Sequence, residues 1–468
     1  MTDIQQAIPA ARSAGRGFRA YSAKHLDTLV QRAGLPPGER LAVRAVATVL
    51  PFRTNSYVVE NLIDWDAAPD DPIYRLVFPQ PDMLPAEDVR RLANMISGDA
   101  PATVLRAAAH EIRMRLNPHP AGQLALNAPR LHGRALPGLQ HKYSETVLFF
   151  PRQGQTCHAY CSYCFRWAQF VDEPDLKMAT DDIGTLVAYL GEHPEVTSVL
   201  ITGGDPMIMG EVVLRRYIEP LIDPRNRLDH LESIRIGTKS LAYWPQRFVS
   251  DPDADATLRL FDEVGASGRT LALMAHFSHQ RELETQPLVE AVRRIRSTGA
   301  VIRTQAPLIR SINDDPATWR AMWRTQVRMG MVPYYMFVER DTGPQDYFAV
   351  PLARGYEIFR AAYRSVSGLC RTVRGPSMSA TPGKVCVDGV AEVAGIKVFV
   401  LRMIQARDPH LVGTPFFAKF DPAATWLTDL EPVFTDRFPY EPAPCEVVPD
   451  ELPGLWPDEP DELMVPAI

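Results

Sequence analysis

Lysine is scarce in this 468-residue chain. Only seven of its fifty basic side chains are lysine (Lys24, Lys142, Lys177, Lys239, Lys384, Lys397 and Lys419), so any chemistry that needs an amine nucleophile has few places to reside. No run of roughly 18 apolar residues occurs, and the N-terminal stretch MTDIQQAIPAARSAGRGFRA lacks an apolar signal core. These absences argue against a membrane span and point to the cytoplasm. No basic run forms a patch and the net charge is −6, which argues against nucleic acid as a partner. Cysteine is limited to Cys157, Cys161, Cys164, Cys370, Cys386 and Cys445. Three of these crowd one short segment, unlike the even spread of a secreted disulfide framework. With 46% hydrophobic and 23% charged residues the chain can bury a large core, either in two or three structural regions or in one enlarged barrel.

The pattern along the chain changes twice. Residues 1–140 read as an N-terminal helical region: HLDTLVQRAG, GERLAVRAVATVL and AEDVRRLANMI have helical spacing, and proline-broken stretches between them read as extended connectors. From about 141 to 350, short apolar runs alternate with amphipathic stretches, the mark of βα units and a parallel sheet. Six strands are expected, at 146–151, 197–202, 232–237, 271–276, 300–307 and 332–338. The expected fold is α/β, a partial (β/α)6 barrel with the N-terminal helical region and a C-terminal extension. Residues 351–468 form that extension, opening with a helix near 353–367 and ending in a Pro- and acid-rich tail. In barrels of this kind functional groups sit at the C-terminal ends of strands. Gly203, Gly204, Asp205, Thr238, Lys239, His276, Gln305 and Asp341 all fall at or near such ends.

The segment TCHAYCSYCFR places Cys157, Cys161 and Cys164 in a Cys-x3-Cys-x2-Cys array. Three thiolates on one loop can each hold one iron of a 4Fe-4S cluster and leave the fourth iron open. A structural zinc ion is the alternative, but it requires a fourth ligand, and His158, directly beside Cys157, is awkwardly placed to close a tetrahedron.

This array, with Tyr163 before the last cysteine and with Gly203-Gly204-Asp205 after the second strand, resembles the radical S-adenosylmethionine (SAM) superfamily. That resemblance implies that the open iron chelates the methionine part of SAM, that the Gly-Gly-Asp motif holds its amino group, and that reductive cleavage releases a 5′-deoxyadenosyl radical. Taken alone, Gly-Gly-Asp would be an ordinary turn. PIYRLVFPQPDML, PGLQHKYSETVLFF, VLITGGDPM, IRIGTKSLAYWPQRF, AHFSHQRE, QAPLIRSINDD and PYYMFVERDTG extend the resemblance, over residues 20–410, to the lysine 2,3-aminomutase family. It implies an enzyme that binds pyridoxal phosphate (PLP) besides the cluster and SAM, and that moves an amino group between adjacent carbons of a small-molecule amino acid. An external electron donor such as flavodoxin or ferredoxin, and a homodimer or tetramer, are further implications. Lys384, in TPGKV, falls at the family's PLP-binding lysine, although Pro-Gly-Lys also describes an exposed turn. Lys142 falls where the family has an arginine at the PLP phosphate, and Tyr143 would border the ring. Arg166 coincides with the arginine that holds the substrate carboxylate, and Gln305 with a residue near the cofactor. His276 faces the same mouth, or is a buried structural histidine.

The chain departs from the family pattern in three places. Ser377 replaces the aspartate that binds the distal ammonium of lysine. Either Arg340 or Asp341 occupies a second aspartate position; the former would favour an acidic substrate side chain, the latter a basic or amide one. Free L-lysine is therefore not the expected substrate. The tail has Cys445 alone, so no structural zinc is expected there. A radical SAM enzyme without PLP, one that modifies a protein lysine, or a non-catalytic iron–sulfur protein are the competing readings.

Overall fold

The computed structural model describes residues 17–116, 126–171 and 177–442. Its centre is an eleven-stranded sheet whose spatial order follows the chain. The strands are β1 (Leu139–Tyr143), β2 (Thr146–Phe149), β3 (Ser198–Ile201), β4 (Ser233–Thr238), β5 (Thr270–His276), β6 (Val301–Leu308), β7 (Val332–Val338), β8 (Arg374–Ser379), β9 (Gly383–Val393), β10 (Ile396–Ala406) and β11 (Pro415–Lys419). All six expected strands are present, as β2 to β7, and each neighbouring pair runs parallel. β8 adds a seventh parallel strand. β1 and β9 to β11 pair antiparallel at the two ends. The fold is thus mixed α/β with one large sheet, longer at both ends than the six-unit pattern foretells.

Each crossover carries a helix: Ile183–Glu192, Glu211–Ile222, Ala254–Ala266, Gln286–Ser297, Pro316–Arg328 and Leu352–Arg364. Their starts are chemically marked. The Asp182 carboxylate accepts from Thr185 N at 3.1 Å. Asp315 accepts from Ala317 N and Thr318 N at 2.8 and 2.9 Å, and Pro316 follows it where no helical N–H is needed. The same Asp-Pro logic corrects one expectation. Asp71 caps a helix at Pro72–Val77, in a stretch read as an extended connector, because a proline at the first helical position starts a helix instead of breaking it.

Strand alternation separates two faces. In β4, Ile234, Ile236 and Thr238 are buried while Arg235 and Gly237 are partly accessible. Ile234 and Ile236 join Val147, Val199, Ile201, Leu271, Leu273 and Ile302 in one apolar core shared with the crossover helices and with the N-terminal helices Pro37–Val49 and Ala86–Ser97. A second core gathers around β8 to β11 and Trp426. The sheet also curls, for Lys142 in β1 donates from Nζ to the Ala380 carbonyl just past β8, and Arg407 past β10 reaches the Leu126 carbonyl at 3.2 Å.

Ile236→Ala should lower the unfolding free energy in urea by about 2–5 kcal/mol, the usual cost of emptying a buried aliphatic site. Arg235→Ala, one residue away on the other face, should cost well under half as much.

Candidate active site

The concave face of the curled sheet encloses a cavity of about 320 Å³, within the range of small-molecule and cofactor sites. Its wall shows the period of two that strands impose. Thr146 and Leu148, Leu200 and Thr202, Arg235 and Gly237, Met274 and His276, and Gln305 and Pro307 come from five successive strands. β7 contributes both Tyr334 and Tyr335, because its register against β6 shifts there. β9 and β10 close the far end with Lys384 and Gln405, and β1 contributes Lys142 and Tyr143.

Cys157, Cys161 and Cys164 all reach this cavity. The loop carrying them is tied to the N-terminal region: Tyr160 N donates to the Arg53 carbonyl and Ser162 N to the Leu76 carbonyl, both at 2.8 Å, and Asn55 Nδ2 donates to the His158 carbonyl at 3.1 Å. Burial is the largest cause holding all three thiols protonated, with Cys164 pushed up to about 12 and Cys161 next to it adding to the rise. The three would ionise only against a cation, and zinc would need a fourth ligand. His158 is spoken for: its Nδ1 lies 2.9 Å from Ser240 Oγ, and its ring stacks on Trp244. The donors therefore fit a multi-iron cluster, where each cysteine bonds its own iron, better than a closed zinc site. Cys370 and Cys386 are isolated and buried, and Cys445 lies outside the described residues.

Gly203 and Gly204 have a reason to be glycine. Gly203 adopts φ +144°, and a Cβ on Gly204 would sit 2.5 Å from the backbone N and O of Thr156. Gly204 N and Asp205 N donate to the Gly154 and Thr156 carbonyls at 3.1 and 2.8 Å, so this turn is locked onto the base of the cysteine loop. The Asp205 carboxylate accepts from Met207 N, Thr238 Oγ1, Lys239 N and Ser240 Oγ at 2.7–3.0 Å. Both of its oxygens are occupied by the protein. Asp205 and Thr238 line the cavity, but their bonds organise the loop. Lys239 Nζ pairs with Glu282 Oε1 at 2.8 Å.

His276 and Gln305 meet in the cavity with Nε2–Nε2 at 2.7 Å. Burial, helped by Lys239 and Arg166, pushes the histidine down to about 3, so it is neutral and accepts from the glutamine amide. Lys384 is not on an exposed turn. It is the second residue of β9, directly opposite Gln405 in β10, and donates from Nζ to Gln405 Oε1 at 2.7 Å. Its amine lies 4.6 Å from the centre of the Tyr335 ring. Burial, then Arg235 and Arg374, push it down to about 7. Lys142 is pushed down to about 6 by burial and by Arg340, Arg407 and Lys384. Arg166, pushed down to about 10 by burial, reaches toward the Gly203 carbonyl at 3.4 Å and lies over the rings of Phe150 and Phe165.

At the divergent position, Arg340 lines the cavity and Asp341 does not. Ser377 is fully buried, donates to the Met336 carbonyl at 3.4 Å, and is likewise absent from the wall. Sequence reasoning missed Arg235, Glu339, Tyr335 and Gln405. The alternation of IRIGT in β4 could have revealed Arg235, whereas Gln405 needed the β9–β10 pairing.

No protein-family model matches the chain. It is 30% identical over 396 residues to a putative L-lysine 2,3-aminomutase of Aquifex aeolicus, covering 84% of this chain and 91% of that one. The L-lysine 2,3-aminomutase of Bacillus subtilis is 28% identical over 233 residues (50% of this chain, 46% of that one). The glutamate 2,3-aminomutase of Clostridioides difficile is 24% identical over 213 residues (46% and 47%). The chain thus spans about half the length of these two. A solved radical SAM methyltransferase from Sphaerobacter thermophilus is similar at TM-score 0.36 and 16% identity, over 52% of this chain and 68% of that one, a likeness too slight to bear on the fold. The chain belongs to the lysine 2,3-aminomutase family, a family of aminomutase enzymes.

Gly204→Val should push the Thr156 backbone away and displace Cys157. Iron bound per chain after anaerobic reconstitution should fall by more than half, with little change in the far-ultraviolet circular dichroism.

Proposed function

We propose that this enzyme uses a 4Fe-4S cluster, SAM and PLP to move an amino group between adjacent carbons of a small amino acid other than free L-lysine. The observation that carries this reading is the presence of three cysteine sulfurs and one buried lysine amine of lowered basicity in a single cavity. We read the curled sheet over 141–350 as a partial (β/α)6 barrel, with 1–140 covering it and 351–468 delivering the lysine.

Cys157, Cys161 and Cys164 would hold the cluster, which supplies the electron that cleaves SAM; PLP supplies an aldehyde that binds an amine covalently and a ring that delocalises an unpaired electron. This chain's own residues do the rest. The Gly203–Asp205 turn sets the distance between the cysteine loop and the strand ends. Asp205, with both oxygens filled, acts as a positioning residue, and leaves Arg166 to meet a carboxylate. Neutral His276 and Gln305 line the passage between the sulfurs and the lysine. Lys384 offers its amine as a free base, since burial, and then its neighbours Arg235 and Arg374, oppose a further positive charge. Lys142, its proton weakly held by the protein alone, would be kept charged by a phosphate beside it and pair with it, and Tyr143 and Tyr335 border the space for a ring. Enclosure of the cavity by strands and helices keeps bulk water from reactive species. An external donor such as flavodoxin or ferredoxin would deliver the electron. No helix among the described residues is long and apolar enough to cross a membrane, in keeping with a cytoplasmic enzyme.

Anaerobic reconstitution with iron, sulfide and PLP tests this reading. Reduced protein should convert SAM to 5′-deoxyadenosine, and Cys161→Ala should lose both iron and cleavage. Borohydride trapping should place a pyridoxyl adduct on Lys384, absent in Lys384→Ala. Because the amine carries its proton only below about 7, adduct formation should rise with pH to a half-maximum near that value. A half-maximum more than two pH units higher, near an ordinary lysine, would mean the amine is not desolvated. SAM cleavage by an enzyme whose Lys384 stays unmodified would remove PLP and leave the protein-lysine or PLP-independent readings.

A further inference from the structure

The cavity wall is unbalanced in charge. Lys142, Arg166, Arg235, Lys239, Arg340 and Lys384 face two acids, Asp205 and Glu339. Asp205 is saturated by protein donors, and Lys239 is neutralised by Glu282. Arg166, Lys142 and Lys384 have tasks in the reading above, and Arg235 donates to Thr146 Oγ1 at 3.2 Å and acts on Lys384, which leaves Arg340 without one.

Arg340 stands two residues beyond the end of β7, and its guanidinium is held by rings, 5.1 Å from the centre of Phe165 and 5.8 Å from that of Trp426. Rings satisfy the face of a guanidinium and leave its N–H groups unpaired. Its Nε and Nη2 are buried and have no hydrogen-bond partner. The approach of Asp341 Oδ1 to Nε, at 3.6 Å, is too long for one. The edge formed by Nε and Nη2 is sealed off and faces Asp341, so a ligand in the cavity would meet the remaining nitrogen, Nη1, a charged donor suited to a carboxylate oxygen. Arg166 lies 5.2 Å from the same Phe165 ring, so two cationic forks flank one aromatic side chain. Where the family pattern calls for an anion to meet a distal ammonium, Ser377 is buried and bonded to backbone. A substrate carrying an ammonium at its far end would gain no acid from Ser377 and would share the cavity with Arg340.

We propose that the substrate is an amino acid whose side chain ends in a carboxylate, with Arg340 binding that distal carboxylate through Nη1 while Arg166 takes the α-carboxylate. This rests on the aminomutase reading and names its substrate class. A buried guanidinium that makes no hydrogen bond through Nε or Nη2, and whose acid neighbour Asp341 stands 3.6 Å off, is poorly compensated until a further anion arrives, so discrimination should be steep.

Equilibrium dialysis of labelled amino acids against the reconstituted holoenzyme tests the assignment. L-Glutamate or L-aspartate should bind at least roughly 100-fold more tightly than L-lysine or L-leucine, the expected scale for pairing a buried charge. Arg340→Gln should erase that preference, and Arg340→Lys should restore part of it. Lysine or leucine binding as tightly as both dicarboxylates, or an unchanged preference in folded Arg340→Gln, would overturn the proposal. The wild-type comparison decides the matter should the variants fail to fold. Because dialysis reads occupancy without turnover, a dicarboxylate that binds selectively but elicits no 5′-deoxyadenosine would count against the aminomutase reading and leave the Arg340 assignment standing.

Discussion

The rest of the structure depends on holding several cations inside a curled sheet without water. Strand geometry turns every second side chain of β2 to β6 toward the concave face, Arg235 among them, and the flanking strands and loops add Lys142, Arg166, Arg340 and Lys384. Burial opposes each of these charges, and their mutual proximity opposes them further, as the lowered basicity of Lys142, Lys384 and Arg166 shows. The two apolar cores offset that cost, and the charge that remains suits anionic ligands.

The sulfur end of the cavity is governed by a second constraint, close backbone approach. The cysteine loop has little secondary structure of its own. It is held by Arg53, Asn55 and Leu76 from the N-terminal region on one side and by the Gly203–Asp205 turn on the other. The helical preface is thus part of the site's construction, and the two glycines are where a side chain would open a gap beneath Cys157. Asp205 gathers donors from the ends of β3 and β4, joining these strands to that floor.

At the lysine end the design differs. Lys384 and Gln405 face each other across an antiparallel pair, and the hairpin between β9 and β10 turns through Ala394 and Gly395, both with positive φ. A rigid hairpin positions the amine more closely than an exposed turn would, and also buries it, so position and lowered basicity have one cause. The two ends of the sheet close around the same space because β1 reaches β8 through Lys142 and Ala380.

Much of this was legible in the chain by itself. The period of the apolar runs located the six parallel strands, and the cysteine spacing with Gly-Gly-Asp carried the resemblance to the family, because local backbone preferences and ligand spacing are properties of contiguous residues. Other features were not legible. Whether Lys384 was an exposed turn residue or a buried amine, whether Arg340 or Asp341 faced the cavity, and that Asp205 spends both its oxygens on the protein depended on strands far apart in sequence. Those outcomes follow from sheet register and curl, which decide which side chains share a desolvated space. Only the tertiary structure settles that, since burial and charge proximity are set by long-range packing and not by the order of residues.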